Sequence, residues 1–179
     1  MQNPVVENLR QTIRSIPDFP KKGILFRDIT PILLQPQSFE DAVTALWDPF
    51  LDKGVDAIAG IESRGFIFGA GMALEQGLPF ILIRKKGKLP AEVYQESYEL
   101  EYGQDAVEIH RDAVSRGQRI LIVDDLLATG GTAAAAVRLV SKAGGEVVGC
   151  TFLVELAGLN GRRLLEAQTV TSVLCYEGV

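Results

Sequence analysis

The first fifty residues carry two amphipathic stretches. Val5, Val6, Leu9, Ile13 and Ile16 recur at the three-to-four-residue spacing of a helix face, and Ser38 stands ahead of a second stripe formed by Val43, Leu46, Trp47, Phe50 and Leu51. Beyond residue 54 the pattern changes. Short, wholly apolar runs alternate with helix-like segments: VDAIAG precedes GFIFGAGMALEQG, FILIR precedes a long polar segment, and RILIVDD precedes TAAAAVRLVSKAGG; EVVGCTFLVEL and TVTSVLCYE follow. Strands that are apolar on both sides need cover on both sides. The pattern therefore predicts an α/β fold, a mostly parallel sheet with helices on both faces.

One connection is out of proportion. Lys85 to Gly103 is too long for an ordinary loop, and its Tyr94, Tyr98, Leu100 and Tyr102 fall at alternate positions, as in one arm of a hairpin. A mobile lid over a site is its expected role.

Composition narrows the class. The chain has 179 residues, 47% of them apolar, with no repeat or low-complexity tract, which fits one domain over residues 1–179. A net charge of -5 argues against nucleic acid or anionic membrane as a partner, because both select a basic face. No run approaches the roughly 20 apolar residues of a membrane span, and the N-terminal stretch has no basic start followed by an apolar core, so a cytoplasmic protein is expected. Cys150 and Cys175 sit in apolar runs, where each reads as a small buried hydrophobe rather than a disulfide partner or metal ligand. Trp47 reads as core and the lone His110 as a polar surface or interface residue.

In sheets of this kind ligands bind beyond the carboxyl ends of the strands, so the residues just after each apolar run are the candidates for chemistry. The sharpest is VDDLLATGGT, Val123 to Thr132, where an apolar strand turns through Gly130 and Gly131 into an alanine-rich helix. The glycines let several backbone N–H groups point inward, and Thr132 is placed to cap the helix, whose positive end lies close by. A phosphate monoester suits that nest. The segment is not the GxxxxGK[ST] loop: the lysine is missing and Asp124 and Asp125 precede the glycines. Adjacent carboxylates repel a triphosphate but accept hydrogen bonds from sugar hydroxyls, so the loop reads as a ribose 5-phosphate site.

A second strand ends at Ile61-Glu62-Ser63-Arg64-Gly65, giving free amides and a planar guanidinium suited to diphosphate oxygens. On its own Arg64 reads first as an exposed ion-pair partner of Glu62. A third strand ends in Arg84-Lys85-Lys86-Gly87-Lys88, so cations gather at one predicted sheet edge of an acidic chain, which favours an anion site there.

The strand, the acidic pair and the ATGGT turn together resemble the phosphoribosyl pyrophosphate (PRPP) motif of the type I phosphoribosyltransferases. FRDIT at 26–30, ESRGFIFG at 62–69, and RKKGKLP with SYELEYG between 84 and 103 are similar, in order, to the adenine phosphoribosyltransferases of that family. The resemblance implies the type I fold with a small hood and a lid, transfer of phosphoribose from PRPP to adenine, and a homodimer. It implies Mg²⁺ held mainly through the substrate's oxygens, with no dedicated protein metal site.

Carried over position by position, the resemblance implies PRPP contacts from Ser63, Arg64, Arg84, Lys85, Lys88, Tyr102, Asp124, Asp125 and the turn Ala128, Thr129, Gly130, Gly131 and Thr132. It also implies a cis peptide between Glu62 and Ser63. Phe26, Arg27 and Leu126 would line the adenine pocket, with Glu101 and Asp124 as the catalytic carboxylates, Glu101 managing the base proton. Without the family context Phe26 reads as core and Arg27 as a partner of Asp28.

Two alternatives remain open on the residues, and a third is set aside. An enzyme of the same fold acting on guanine, hypoxanthine or xanthine would need a donor where adenine needs an acceptor. A PRPP-sensing regulator of this fold is disfavoured by the net acidity. A dinucleotide-binding oxidoreductase lacks its GxGxxG after an early strand.

Overall fold

The computed structural model describes residues 3–99 and 103–178. The chain runs α1 (Pro4–Thr12), β1 (Arg14–Pro17), β2 (Leu25–Asp28), α2 (Thr30–Leu33), α3 (Pro36–Trp47), β3 (Ala57–Ile61), α4 (Gly65–Gln76), β4 (Phe80–Lys85), β5 (Val93–Glu99), β6 (Gln104–His110), β7 (Arg119–Leu127), α5 (Gly131–Lys142), β8 (Glu146–Leu156) and β9 (Val170–Tyr176). Short 3₁₀ turns at Asp48–Phe50, Ala157–Leu159 and Gly161–Leu165 complete it.

Seven strands form one sheet in the order β5-β6-β4-β3-β7-β8-β9. The strands from β4 to β9 in that order pair in parallel, and β6 and β5 add antiparallel at one end. Every residue of β3 is buried, as a strand covered on both faces requires. Alternation sorts the side chains: Ile120 and Ile122 face α5, whereas Leu121 and Val123 face α3 and α4. Ala133, Ala134, Ala135 and Ala136 let α5 lie close on its face, against Cys150 and Phe152. Phe50, Phe68 and Phe152 are fully buried, and truncating any one to alanine should cost about 3–5 kcal/mol.

Three sequence expectations are corrected. Ile16 belongs to β1, paired with Phe26 of β2, because α1 ends at Thr12 and the chain then extends towards Pro17. Ser38 lies inside α3, which starts at Pro36, a residue pre-set for a first helical turn. Cys150 is buried, with its thiol pushed up to about 12 by loss of solvent, whereas Cys175 on edge strand β9 is exposed. Trp47 is buried at the end of α3. The hairpin expected in the long connection is β5 against β6, with Tyr94 opposite Ile109 and Tyr98 opposite Asp105; Leu100, Glu101 and Tyr102 lie outside the described residues. None of the described helices is long and apolar enough to cross a membrane.

Candidate active site

The parallel strands end along one edge, and the candidate residues collect there. β7 does not stop before the acids. It pairs with β8 through Leu127, with Asp124 beside Phe152 and Leu126 beside Val154, so Asp124 and Asp125 are strand residues on opposite faces of the sheet. The turn is left with Ala128, Thr129 and Gly130.

Gly130 adopts φ +82° and is the residue from which α5 springs, with no side-chain cap; Thr132 lies one residue inside the helix, not at its cap. The first helical bond of α5 runs from the Ala134 N–H to the Gly130 carbonyl, leaving the Gly131, Thr132 and Ala133 amides at the positive end without intrahelical acceptors. These residues line a cleft of about 360 Å³.

The opposite wall comes from the end of β3. The Glu62–Ser63 peptide is cis, and α4 begins immediately after Arg64. Asp125, 6% exposed, accepts an ion pair from Arg64 Nε at 2.7 Å. Arg64 is thus tied across the sheet end to the acidic pair, not to Glu62. Asp124 accepts the Asp125 N–H at 2.9 Å. Its carboxyl is pushed well above the usual range, first by burial and then by the neighbouring Asp125 charge.

Glu62 serves a different purpose. Its carboxylate accepts Nε and Nη2 of the Arg84 guanidinium, at 3.2 and 2.9 Å, and the Lys85 N–H at 2.9 Å. That network, led by the Arg84 bonds, holds its carboxyl below the usual range. Arg84 spends its remaining arm on the Lys88 carbonyl at 3.0 Å. Lys85 reaches the cleft wall while its ammonium is bonded to the Tyr98 hydroxyl and the Asp105 carboxylate.

A second cavity, of about 230 Å³, adjoins the first and shares Arg64, Asp125 and Leu126 with it. It is mainly apolar. β2 supplies Phe26, whose ring meets Phe19 edge-on at 5.1 Å and lies 5.9 Å from the Arg64 guanidinium carbon. Arg27 also lines it, with its guanidinium 4.0 Å over the Tyr176 ring and an arm donated to the Ser15 hydroxyl at 2.5 Å. Asp28 pairs with Arg14 instead, at 3.6 Å.

Of the residues singled out in the sequence, Ser63, Arg64, Lys85, Asp124, Asp125, Leu126, Ala128, Thr129, Gly130, Gly131 and Thr132 line the cleft, and Phe26, Arg27 and Leu126 line the second cavity. Arg84 and Lys88 are not among the residues lining the cleft; Arg84 is bonded to Glu62 and to the Lys88 carbonyl. Glu101 and Tyr102 lie outside the described residues. Sequence reasoning missed Val154, Leu156 and Leu159, which complete the apolar cavity. The signal was available: Val154 and Leu156 close β8 and Leu159 lies just beyond it at the same sheet edge, where the carboxyl-end rule applies equally.

Residues 31–175 match the family described as the phosphoribosyl transferase domain. A curated adenine phosphoribosyltransferase of Geotalea uraniireducens is 51% identical over 96% of this chain and 100% of its own length. The crystal structure of adenine phosphoribosyltransferase from Rhodothermus marinus is 52% identical, covers 97% of this chain and 99% of its own, and superposes with a TM-score of 0.91. The Saccharomyces cerevisiae adenine phosphoribosyltransferase, solved with an imino-altritol bisphosphate and adenine, is 40% identical over 96% of this chain and 99% of its own, with a TM-score of 0.91.

Proposed function

The chain belongs to the phosphoribosyltransferase family, and within it to the adenine phosphoribosyltransferases; from that membership we propose that it transfers the phosphoribosyl group of PRPP to adenine, giving AMP and pyrophosphate in purine salvage. The observation that carries the reading is the pair of adjoining cavities. A polar cleft with an acidic pair and a helix N-terminus meets an apolar pocket at Arg64, Asp125 and Leu126, so a sugar phosphate and a flat base can lie edge to edge. The yeast relative was solved with a bisphosphate and adenine together. The 6-oxopurine and regulator alternatives are not favoured.

In this reading the turn Ala128 to Gly130 and the Gly131 to Ala133 amides hold the 5-phosphate, Asp124 and Asp125 orient the ribose, and Ser63, Arg64 and Lys85 receive the pyrophosphate. The bond from the anomeric carbon to the pyrophosphate oxygen breaks as the base nitrogen attacks. Charge on the departing group is met by Arg64 and Lys85, and positive charge developing on the ribose by Asp124. Arg84 and Lys88 act on the pyrophosphate side, Arg84 through Glu62.

Glu101 takes the proton lost by the attacking nitrogen, and Tyr102 touches ribose or pyrophosphate. Residues 85–103 form the lid. The start of α5 supports that reading, since a β-carbon at Gly131 would sit 3.4 Å from the Tyr98 ring and the Glu99 carbonyl. Closure would exclude water and suppress hydrolysis of PRPP.

Mg²⁺ fits the site as a substrate-borne ion. Among the described residues no three His, Cys, Asp or Glu side chains converge on a metal position, while Mg²⁺ keeps several waters and needs few protein ligands. Asp124 and Asp125 are the carboxylates that would meet it, and it would neutralise pyrophosphate charge.

The proposal takes residues 1–179 as one catalytic unit acting in the cytoplasm as a homodimer. Ile67 and Leu74 of α4 and Leu82 of β4 are large apolar side chains left exposed, which supports contact with a second copy. The function is tested by supplying Mg²⁺, PRPP and an equimolar mixture of adenine, guanine, hypoxanthine and xanthine. AMP as the dominant nucleotide supports it; IMP, GMP or XMP in its place overturns the base assignment.

A further inference from the structure

The Glu155–Arg162 ion pair lies outside both cavities, yet it fixes the segment that touches both. Glu155, at the end of β8, is 5% exposed. Arg162 meets it fork to fork, Nε to Oε1 and Nη2 to Oε2 each at 2.7 Å. The remaining arm donates to the Val170 carbonyl at 2.9 Å, and Nη2 also reaches the Ser172 hydroxyl at 3.3 Å. One guanidinium therefore ties the Gly161–Leu165 turn to the end of β8 and the start of β9. Bidentate pairing of this kind sets position and orientation together.

The residues just ahead of Arg162 do the touching. Gly161 stacks its backbone on the phosphate turn: a β-carbon there would collide with the Ala128 carbonyl and lie 3.0 Å from the Gly130 nitrogen. The collision is mutual, because a β-carbon at Gly130 would strike the Gly161 carbonyl. Two residues earlier, Leu159 forms part of the wall of the apolar cavity. Between them Asn160 takes φ +55°, so the chain turns sharply within one residue and joins the two contacts.

We infer that Glu155–Arg162 is a positioning clamp for both substrates, pressing the Gly161 peptide onto the phosphate turn and holding Leu159 in the base-pocket wall. The inference rests on the proposed function for the identity of the two ligands. It carries a signature that a residue of one subsite lacks, because releasing the clamp weakens both subsites at once. Arg162 touches neither substrate; it acts through Gly161 and Leu159.

The test compares wild type with Arg162→Met, Arg162→Lys and a matched control, Arg119→Met. Arg119 likewise donates to backbone carbonyls, of Gly54 and Lys53, but at the opposite end of β7. Arg162→Met is expected to raise KM for PRPP and for adenine together, each about tenfold or more, with kcat changed less. Arg162→Lys, keeping the charge without the fork, should recover part of the loss, and Arg119→Met should leave both KM values within about twofold of wild type. Should Arg162→Met fail to fold, Glu155→Gln, which preserves shape and one acceptor, carries the same expectation. Hydrogen exchange of the 128–132 amides gives a readout independent of substrate: faster in the clamp variants, unchanged in Arg119→Met. Absence of turnover by wild type would count against the function alone. Unchanged exchange, or KM values no different from those of the Arg119→Met control, overturns the clamp.

Discussion

Gly65 packs directly beneath Asp124: a β-carbon at position 65 would lie 2.8 Å from Asp124 Oδ1 and 2.7 Å from the Val123 carbonyl oxygen. The first turn of α4 and the end of β7 approach this closely only because residue 65 has no side chain. The backbone carbonyl cannot swing aside as a flexible side chain would. Gly65→Ala should therefore displace Asp124 and cost about 1–3 kcal/mol of stability through overpacking. Its kcat/KM for PRPP should fall by about tenfold or more, measured alongside a urea melt. A variant with wild-type kinetics would mean that this contact does not position the carboxylate.

Asp124 gives a pH prediction. Burial, and after it the Asp125 charge, raise its folded-state carboxyl above the unfolded value. Such an acid favours folding in its protonated form. The stability it contributes is present below the unfolded pKa and is lost as pH rises through the folded one. Asp124→Asn is neutral throughout and can still accept the Asp125 N–H. It should melt with wild type in acid and above it at neutral pH, by ~2–4 °C for each kcal/mol relieved, while kcat drops about a hundredfold or more. Melting curves recorded across the acid-to-neutral range check this. Equal melting temperatures at every pH would remove the strained carboxylate.

Arg84 is predicted to act through Glu62. Removing it alone leaves a carboxylate unpaired beside the pyrophosphate wall, so Arg84→Met should weaken pyrophosphate and PRPP binding strongly. Adding Glu62→Gln should return part of the loss, a coupling of about 0.5–3 kcal/mol in a double-mutant cycle. Additive effects would instead put Arg84 directly on the phosphate oxygens.

The apolar cavity should discriminate by substrate. Phe26→Ala removes the ring that packs on Phe19 and faces Arg64, and it should raise KM for the base about tenfold or more. KM for PRPP should change little. A parallel rise in both would show that β2 supports the whole edge rather than the base alone.

Much of this arrangement is legible in the sequence, for identifiable reasons. The sheet announces itself because strands buried on both faces are unbroken apolar runs, and the phosphate turn because Gly130 and Gly131 interrupt one of them. Ile16 misleads because a residue three after Ile13 fits a helix face as well as a strand that starts anew. The acids look like loop residues, since nothing local reveals that β8 is long enough to pair with them as far as Leu127. The use of Arg84 is hidden for a similar reason. Its partner Glu62 lies 22 residues earlier, and the two meet only because β3 and β4 pair Ile61 with Ile83. Gly161 carries no charge or motif, and its contact with the phosphate turn is between backbones, which no spacing rule encodes.

The central claim, that one site joins adenine to PRPP, is met most directly by initial rates of pyrophosphate release from Mg²⁺–PRPP with adenine or hypoxanthine as acceptor. The account predicts release that depends on adenine, matches AMP formation mole for mole, and favours adenine by about a hundredfold or more in kcat/KM. Equal or greater kcat/KM with hypoxanthine, or PRPP bound with no release in the presence of any purine, would contradict it.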